Sequence, residues 1–209
     1  MMMKIYGRRS SSNVQKVVWC CAEIGLAYDR IDMGREFGGN KEPAYLAMNP
    51  NGMIPTLVED DGFVLWESNS ILRYLAKKHG PPGFYPADAR QAAIGEQWMD
   101  WQLSSLNMVF SPMFNALVRQ TPEQRDPAAI AKSIADTQHR LAMIDRHLQR
   151  SRFVAGDAFT VADIPIGIYV YRWYSFDGLE RESLPALERW YADLQKRAAY
   201  RDHVMVGLK

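Results

Sequence analysis

Strand signals in this chain end at Trp66, and a stretch dense in proline and glycine, residues 81–88, divides them from a remainder that reads as helix alone. That switch of hydrophobic period limits the fold more than any other feature. A mixed α/β unit comes first and an all-α unit second. The boundaries are expected at residues 1–80 for the first unit, 81–90 for the linker and 91–209 for the helical unit. Each piece approaches the roughly 100 residues that support an independent core.

Within the first unit, residues 3–6 read as a strand closed by Gly7. Ser10, Ser11, Ser12 and Asn13 offer N-cap side chains to a helix whose apolar face carries Val14, Val17, Val18, Cys21 and Ile24, and Gly25 stops it. Residues 28–33 predict a second strand, 34–41 a glycine-containing loop, and 42–48 a short helix ended by Asn49-Pro50-Asn51-Gly52. Thr56-Leu57-Val58 and Phe63-Val64-Leu65-Trp66 flank an Asp61-Gly62 turn and predict a hairpin. Glu67-Ser68 reads as the cap of a helix holding Ile71, Leu72 and Leu75. The order is β-α-β-α-β-β-α. Beyond the linker, one helical pattern covers residues 92–118 with Pro112 as its expected kink. Asp126-Pro127 opens the next helix, Thr160-Val161-Ala162-Asp163 opens an apolar one, and Leu184-Pro185 opens a last one holding Leu187, Trp190, Tyr191 and Leu194.

Charge excludes some functions. Lys and Arg number 25 against 24 Asp and Glu, a net charge of +1, which gives no overall field for nucleic acid or an anionic membrane. No apolar run approaches the ~20 residues that span a bilayer, and the N-terminus lacks a signal peptide's apolar stretch, so a cytoplasmic location is expected. Cys20 and Cys21 are too few for a disulfide framework and are expected to pack as small hydrophobes. No CxxC is present, which excludes dithiol redox chemistry in that form, and two cysteines with four scattered histidines predict no metal site.

The N-terminal order is that of a thioredoxin-like domain, and the chain resembles the cytosolic glutathione S-transferase family, in its bacterial, serine-type, theta-like branch. The resemblance rests on Ser11-Ser12-Asn13, Asn49-Pro50-Asn51-Gly52-Met53-Ile54-Pro55, Glu67-Ser68-Asn69-Ser70-Ile71 and Gly156-Asp157-Ala158-Phe159-Thr160-Val161-Ala162-Asp163, in that order across nearly the whole chain. It implies an enzyme that binds glutathione as co-substrate, stabilises its thiolate and conjugates it to hydrophobic electrophiles, and that associates as a homodimer. A glutathione-dependent isomerase or dehalogenase of the same superfamily, and a non-catalytic interaction module, are the alternatives.

The resemblance also implies site residues. Ser11 would donate its hydroxyl to the glutathione sulfur, with Ser12 and Ser10 as alternatives because three consecutive serines blur the register; Asn13 belongs to the same motif. Ile54, before a cis Pro55, would clamp the cysteinyl unit through its backbone, as an added strand would be held. Glu67 and Ser68 would take the γ-glutamyl ammonium and carboxylate at a helix N-terminus. Lys41 would face the glycyl carboxylate, while Met53 stands where many relatives carry a polar or basic residue. The electrophile would lie against Phe110, Met113, Phe114, Trp173 and Tyr174.

Overall fold

The computed structural model describes residues 2–208. Strands β1 (Lys4–Tyr6), β2 (Asp29–Ile31), β3 (Thr56–Val58) and β4 (Val64–Trp66) form one sheet in the order β2-β1-β3-β4. β1 runs parallel to β2 and antiparallel to β3, with Ile5 opposite Leu57, and β3 pairs antiparallel with β4. A parallel pair needs a crossover, and α1 (Ser12–Glu23) supplies it. α2 (Pro43–Met48) lies between β2 and β3, and α3 (Ser68–His79) follows the hairpin. This is the expected β-α-β-α-β-β-α order of a thioredoxin-like unit.

α1 and α3 pack together. Val14, Val17, Val18 and Cys21 share a core with Ile71, Leu72 and Leu75, all buried. Burial pushes the Cys21 thiol up to about 12 and that of Cys20 well above its ordinary value, so both are unreactive packing residues, as expected.

The rest is helical: α4 (Ala89–Trp101), α5 (Asn107–Arg119), α6 (Pro127–Leu148), α7 (Asp163–Tyr174), α8 (Pro185–Gln195) and α9 (Ala198–His203). The expected kink at Pro112 is not where the long pattern changes. Pro112 lies inside α5, and the irregularity falls at Gln102–Leu106, a π-helical stretch joining α4 to α5. Such stretches frequently accompany functional sites. α9, for which the sequence gives no separate signal, closes the chain against α1.

α1 joins the two halves. Trp19 packs on Tyr200 of α9 with ring centroids 4.6 Å apart, and Glu23 pairs with Arg197 at 2.6 Å. α7 approaches so closely that a Cβ at Gly167 would stand 2.9 Å from the Trp19 ring, which only glycine permits. Asp163 fixes the start of α7. Its buried carboxylate accepts from the Val154 and Thr160 amides, the Thr160 hydroxyl and the Trp190 indole.

Candidate active site

Four segments meet where β1, β3 and the N-termini of α1 and α3 come together. The first is the turn before α1. Ser11 occupies the N-cap position with extended backbone (φ −76°, ψ 126°), and its side chain makes no capping hydrogen bond. Its hydroxyl is therefore not spent on the helix, while its carbonyl accepts from Gln15. The first-turn amides of α1 and its positive dipole end lie beside it. The neighbouring serines are differently engaged. The Ser10 carbonyl accepts from Arg172, and Ser12 stands against Tyr169 on the side of the helical half.

The second segment is the loop before β3. The Ile54-Pro55 bond is cis. The Met53 carbonyl is tied down by the Tyr45 hydroxyl at 2.6 Å and the Asn49 amide at 2.9 Å, while the Met53 side chain is exposed. The Ile54 side chain lies near Gly7 and Gly34, and one Arg8 guanidinium nitrogen also lies near Gly34. Lys41 is exposed and folds toward the same turn, with Nζ 3.5 Å from the Asn51 carbonyl. Tyr6 is held within the sheet, its ring edge-on to Tyr45.

The third is the start of α3. Glu67 takes the N-cap position at φ 70°, an uncommon conformation for a residue with a side chain, and that side chain does not cap. Strain of this kind costs about 1–3 kcal/mol and concentrates at functional sites. The Glu67-Ser68 pair thus marks the start of α3 as expected, but without a side-chain capping bond from Glu67. Glu67 stays exposed, whereas the buried Ser68 hydroxyl turns inward, donating to Asn13 Oδ1 at 3.3 Å and accepting from Lys16.

Lys16 is the residue that sequence reasoning missed. It lies on α1 and is completely buried, with Nζ donating to Gln102 Oε1 at 2.6 Å, Asn69 Oδ1 at 3.3 Å and Ser68 Oγ at 3.4 Å. Burial lowers its pKa to about 7, opposed by the nearby Glu67 carboxylate. The ammonium thus ties α1 to α3 and to the π-helical stretch. Its only sequence signal was its place beside the apolar stripe.

The fourth segment is the facing surface of the helical half. Phe110 and Phe114 line a cavity of about 130 Å³ with Ser12, Asn107, Arg119 and Arg172. Met113 and Trp173 do not reach it. Both are buried core side chains outside the cavity lining. Tyr174 lies elsewhere, stacked on Tyr191 with centroids 5.1 Å apart. The expected apolar wall is thus reduced to Phe110 and Phe114, because the other three face inward or toward α8.

The fold is thus a thioredoxin-like sheet beside a helical half, with a serine hydroxyl that makes no capping bond at one helix N-terminus and an acid–serine pair at another. Residues 10–78 match the family model for the glutathione S-transferase N-terminal domain, and residues 105–198 match that for the C-terminal domain. Glutathione S-transferase GstB of Escherichia coli strain K12 is 39% identical over 206 residues, 98% of this chain and 99% of that protein. The theta class glutathione S-transferase of Xanthomonas axonopodis pv. citri, solved with glutathione bound, superposes with a TM-score of 0.94 at 44% identity over 99% of both chains. The chain belongs to the glutathione S-transferase family and is an enzyme of that family.

Proposed function

We propose that this chain binds glutathione across the N-termini of α1 and α3, holds its sulfur as a thiolate beside Ser11, and transfers an electrophilic carbon to it. The observation that carries this reading is the Ser11 hydroxyl, at the N-cap of α1 yet making no capping bond.

A thiol with a pKa of ~8.5 is only a few per cent ionised at neutral pH. Lowering that by two units takes ~2.7 kcal/mol of differential stabilisation. A hydrogen bond to a charged group contributes ~1.5–3 kcal/mol. The Ser11 hydroxyl and the α1 N-terminus together meet that requirement, and the Arg8 guanidinium near Gly34 adds positive potential. The serine does not attack. It donates to sulfur, and the thiol proton passes to solvent.

The rest of the tripeptide is read by backbone and charge. Ile54 holds the cysteinyl unit through its main chain. The free amides of α3 and the Ser68 region take the γ-glutamyl carboxylate, and the exposed Glu67 carboxylate takes the ammonium. Lys41 faces the glycyl carboxylate, and Asn13 holds Ser68 in place. Phe110 and Phe114 border the space for the electrophile. The chain acts as a homodimer in the cytoplasm.

Calorimetric titration with glutathione, followed by turnover of 1-chloro-2,4-dinitrobenzene, tests the reading. Micromolar-to-millimolar binding and a conjugate of the expected mass support it. Absence of binding overturns it.

A further inference from the structure

The surface that faces the thiolate side from the helical half is cationic. Arg119 of α5 and Arg172 of α7 lie against one ring, Phe114, with guanidinium carbons 5.1 and 4.5 Å from its centroid. Both line the 130 Å³ cavity, together with the polar groups of Ser12 and Asn107. Arg172 is almost fully buried, and its guanidinium donates to the Ser10 carbonyl at 3.1 Å and to Gln15 Oε1 at 3.3 Å, neutral acceptors both. Arg8 approaches from the glutathione side and has a buried Nε with no partner.

Among the described residues, no carboxylate forms an ion pair with Arg8, Arg35, Arg119 or Arg172. Burial first, then the charges of Arg35 and Arg8, lowers the Arg119 pKa to about 10, and burial lowers that of Arg172 to about 10, opposed by Tyr169 and helped by Arg119 and Arg8. Of the acids, Glu36 alone offsets Arg8. A protein that gathers uncompensated guanidinium groups at the mouth of a small polar cavity is arranged for an anion.

We propose that the electrophile is itself an anion, a compound bearing a carboxylate that Arg119 and Arg172 hold in the cavity while its reactive carbon faces the glutathione sulfur. The proposal rests on the glutathione reading above and narrows the hydrophobic substrate expected from sequence. Phe114 supplies an apolar floor, and its ring face holds both guanidiniums in position. In the reaction the thiolate sulfur forms a bond to carbon, the bond from that carbon to a halide breaks, and the halide leaves with its electron pair.

The test compares 4-chloro-3,5-dinitrobenzoate with its neutral isostere, 4-chloro-3,5-dinitrobenzamide, each rate divided by its uncatalysed rate with glutathione. The expected result is a preference for the carboxylate of about tenfold or more in kcat/KM at low salt, carried mainly by KM and weakened as salt rises. Arg119 is exposed, so Arg119→Gln should fold; it should erase most of the preference, and Arg119→Lys should restore part of it. Equal enhancement of the two compounds overturns the proposal while leaving glutathione transfer intact. So does a preference that survives Arg119→Gln together with Arg172→Gln. If calorimetry shows no glutathione binding and neither compound turns over, the underlying reading fails as well.

Discussion

Lys16 Nζ stands 3.4 Å from Ser68 Oγ, so a completely buried ammonium on α1 holds the serine that opens α3. The same nitrogen reaches Asn69 and Gln102, and Asn69 in turn donates to the Met99 carbonyl. One side chain thereby sets the relation between both helix N-termini proposed to bind glutathione and the helical half behind them. Burial lowers the Lys16 pKa to about 7, whereas an unfolded lysine titrates near 10.5. The unfolded chain thus binds the extra proton between those values, and stability from this group increases with pH from about 7 upward. Urea unfolding of the native chain and of Lys16→Met, at pH 6.5 and 8.5, should show this rise in the native chain alone. Parallel pH profiles would mean that Lys16 stays charged throughout.

Glu67 and Ser68 should act on affinity. With Glu67→Gln the KM for glutathione should rise about tenfold or more, as expected for loss of a charge-assisted contact, and Ser68→Ala, which removes an acceptor from the buried Lys16 at the same helix start, should raise it less, while kcat changes little in both. Because neither side chain caps α3, Glu67→Gln should leave the melting temperature close to native. Steady-state kinetics beside thermal unfolding measures both; a loss of stability without a change in KM would make the pair structural.

Asp163 should matter to stability and hardly at all to the reaction. Burial pushes its carboxyl up to about 6, against four donors that favour the anion. Asp163→Ala strands the Val154 and Thr160 amides, the Thr160 hydroxyl and the Trp190 indole. The cost should be about 3 kcal/mol or more. At roughly 2–4 °C per kcal/mol for a chain of this size, the melting temperature should fall by about 6–12 °C. Calorimetric unfolding measures it, and a fall of under about 2 °C would remove Asp163 from this role.

The homodimer should involve the exposed apolar side chains Phe63, Trp66 and Ile94, which lie on or beside the hairpin and on α4. A two-fold interface uses the same patch on both copies, the commonest arrangement of soluble oligomers. Light scattering at micromolar concentration should give twice the chain mass, and Trp66→Glu should lower it. A native chain that runs only as a monomer would sink this proposal.

How much of this was legible depends on the distance over which each feature is built. The β-α-β-α-β-β-α order shows in local pattern, as does the Asp126 cap, whose carboxylate accepts from the Ala128 and Ala129 amides. Lys16 did not show, because a lysine next to an apolar helical stripe is ordinarily solvated, and its three acceptors lie 52, 53 and 86 residues away. Arg119 and Arg172 escaped for the same reason: they come from two helices and meet only at Phe114. Pro112 misled in the other direction. A proline reads as a kink, yet the departure from α geometry settled in Gln102–Leu106, where Gln102 turns its side chain to the buried ammonium.

Ser11 carries the last prediction. Its hydroxyl lies at the N-cap of α1 without capping it, Ser12 faces Tyr169, and the Ser10 carbonyl holds Arg172. Ser11→Ala should raise the apparent pKa of bound glutathione by about one to two units, the equivalent of a lost charge-assisted hydrogen bond. The ultraviolet absorbance of the thiolate against pH reads that value directly. Turnover at neutral pH should fall about tenfold or more, glutathione affinity should hardly change, and activity should recover at high pH as the thiol ionises unaided. Given oxidised glutathione, the Ser11→Cys thiolate should attack its disulfide, keep one half as a mixed disulfide and release the other as glutathione. Ser10→Ala and Ser12→Ala are the controls, with no shift expected from either. A shift produced by Ser12→Ala alone would move the same chemistry one residue along the chain. If none of the three substitutions shifts the pKa, the α1 amides and the neighbouring arginines stabilise the thiolate without a hydroxyl.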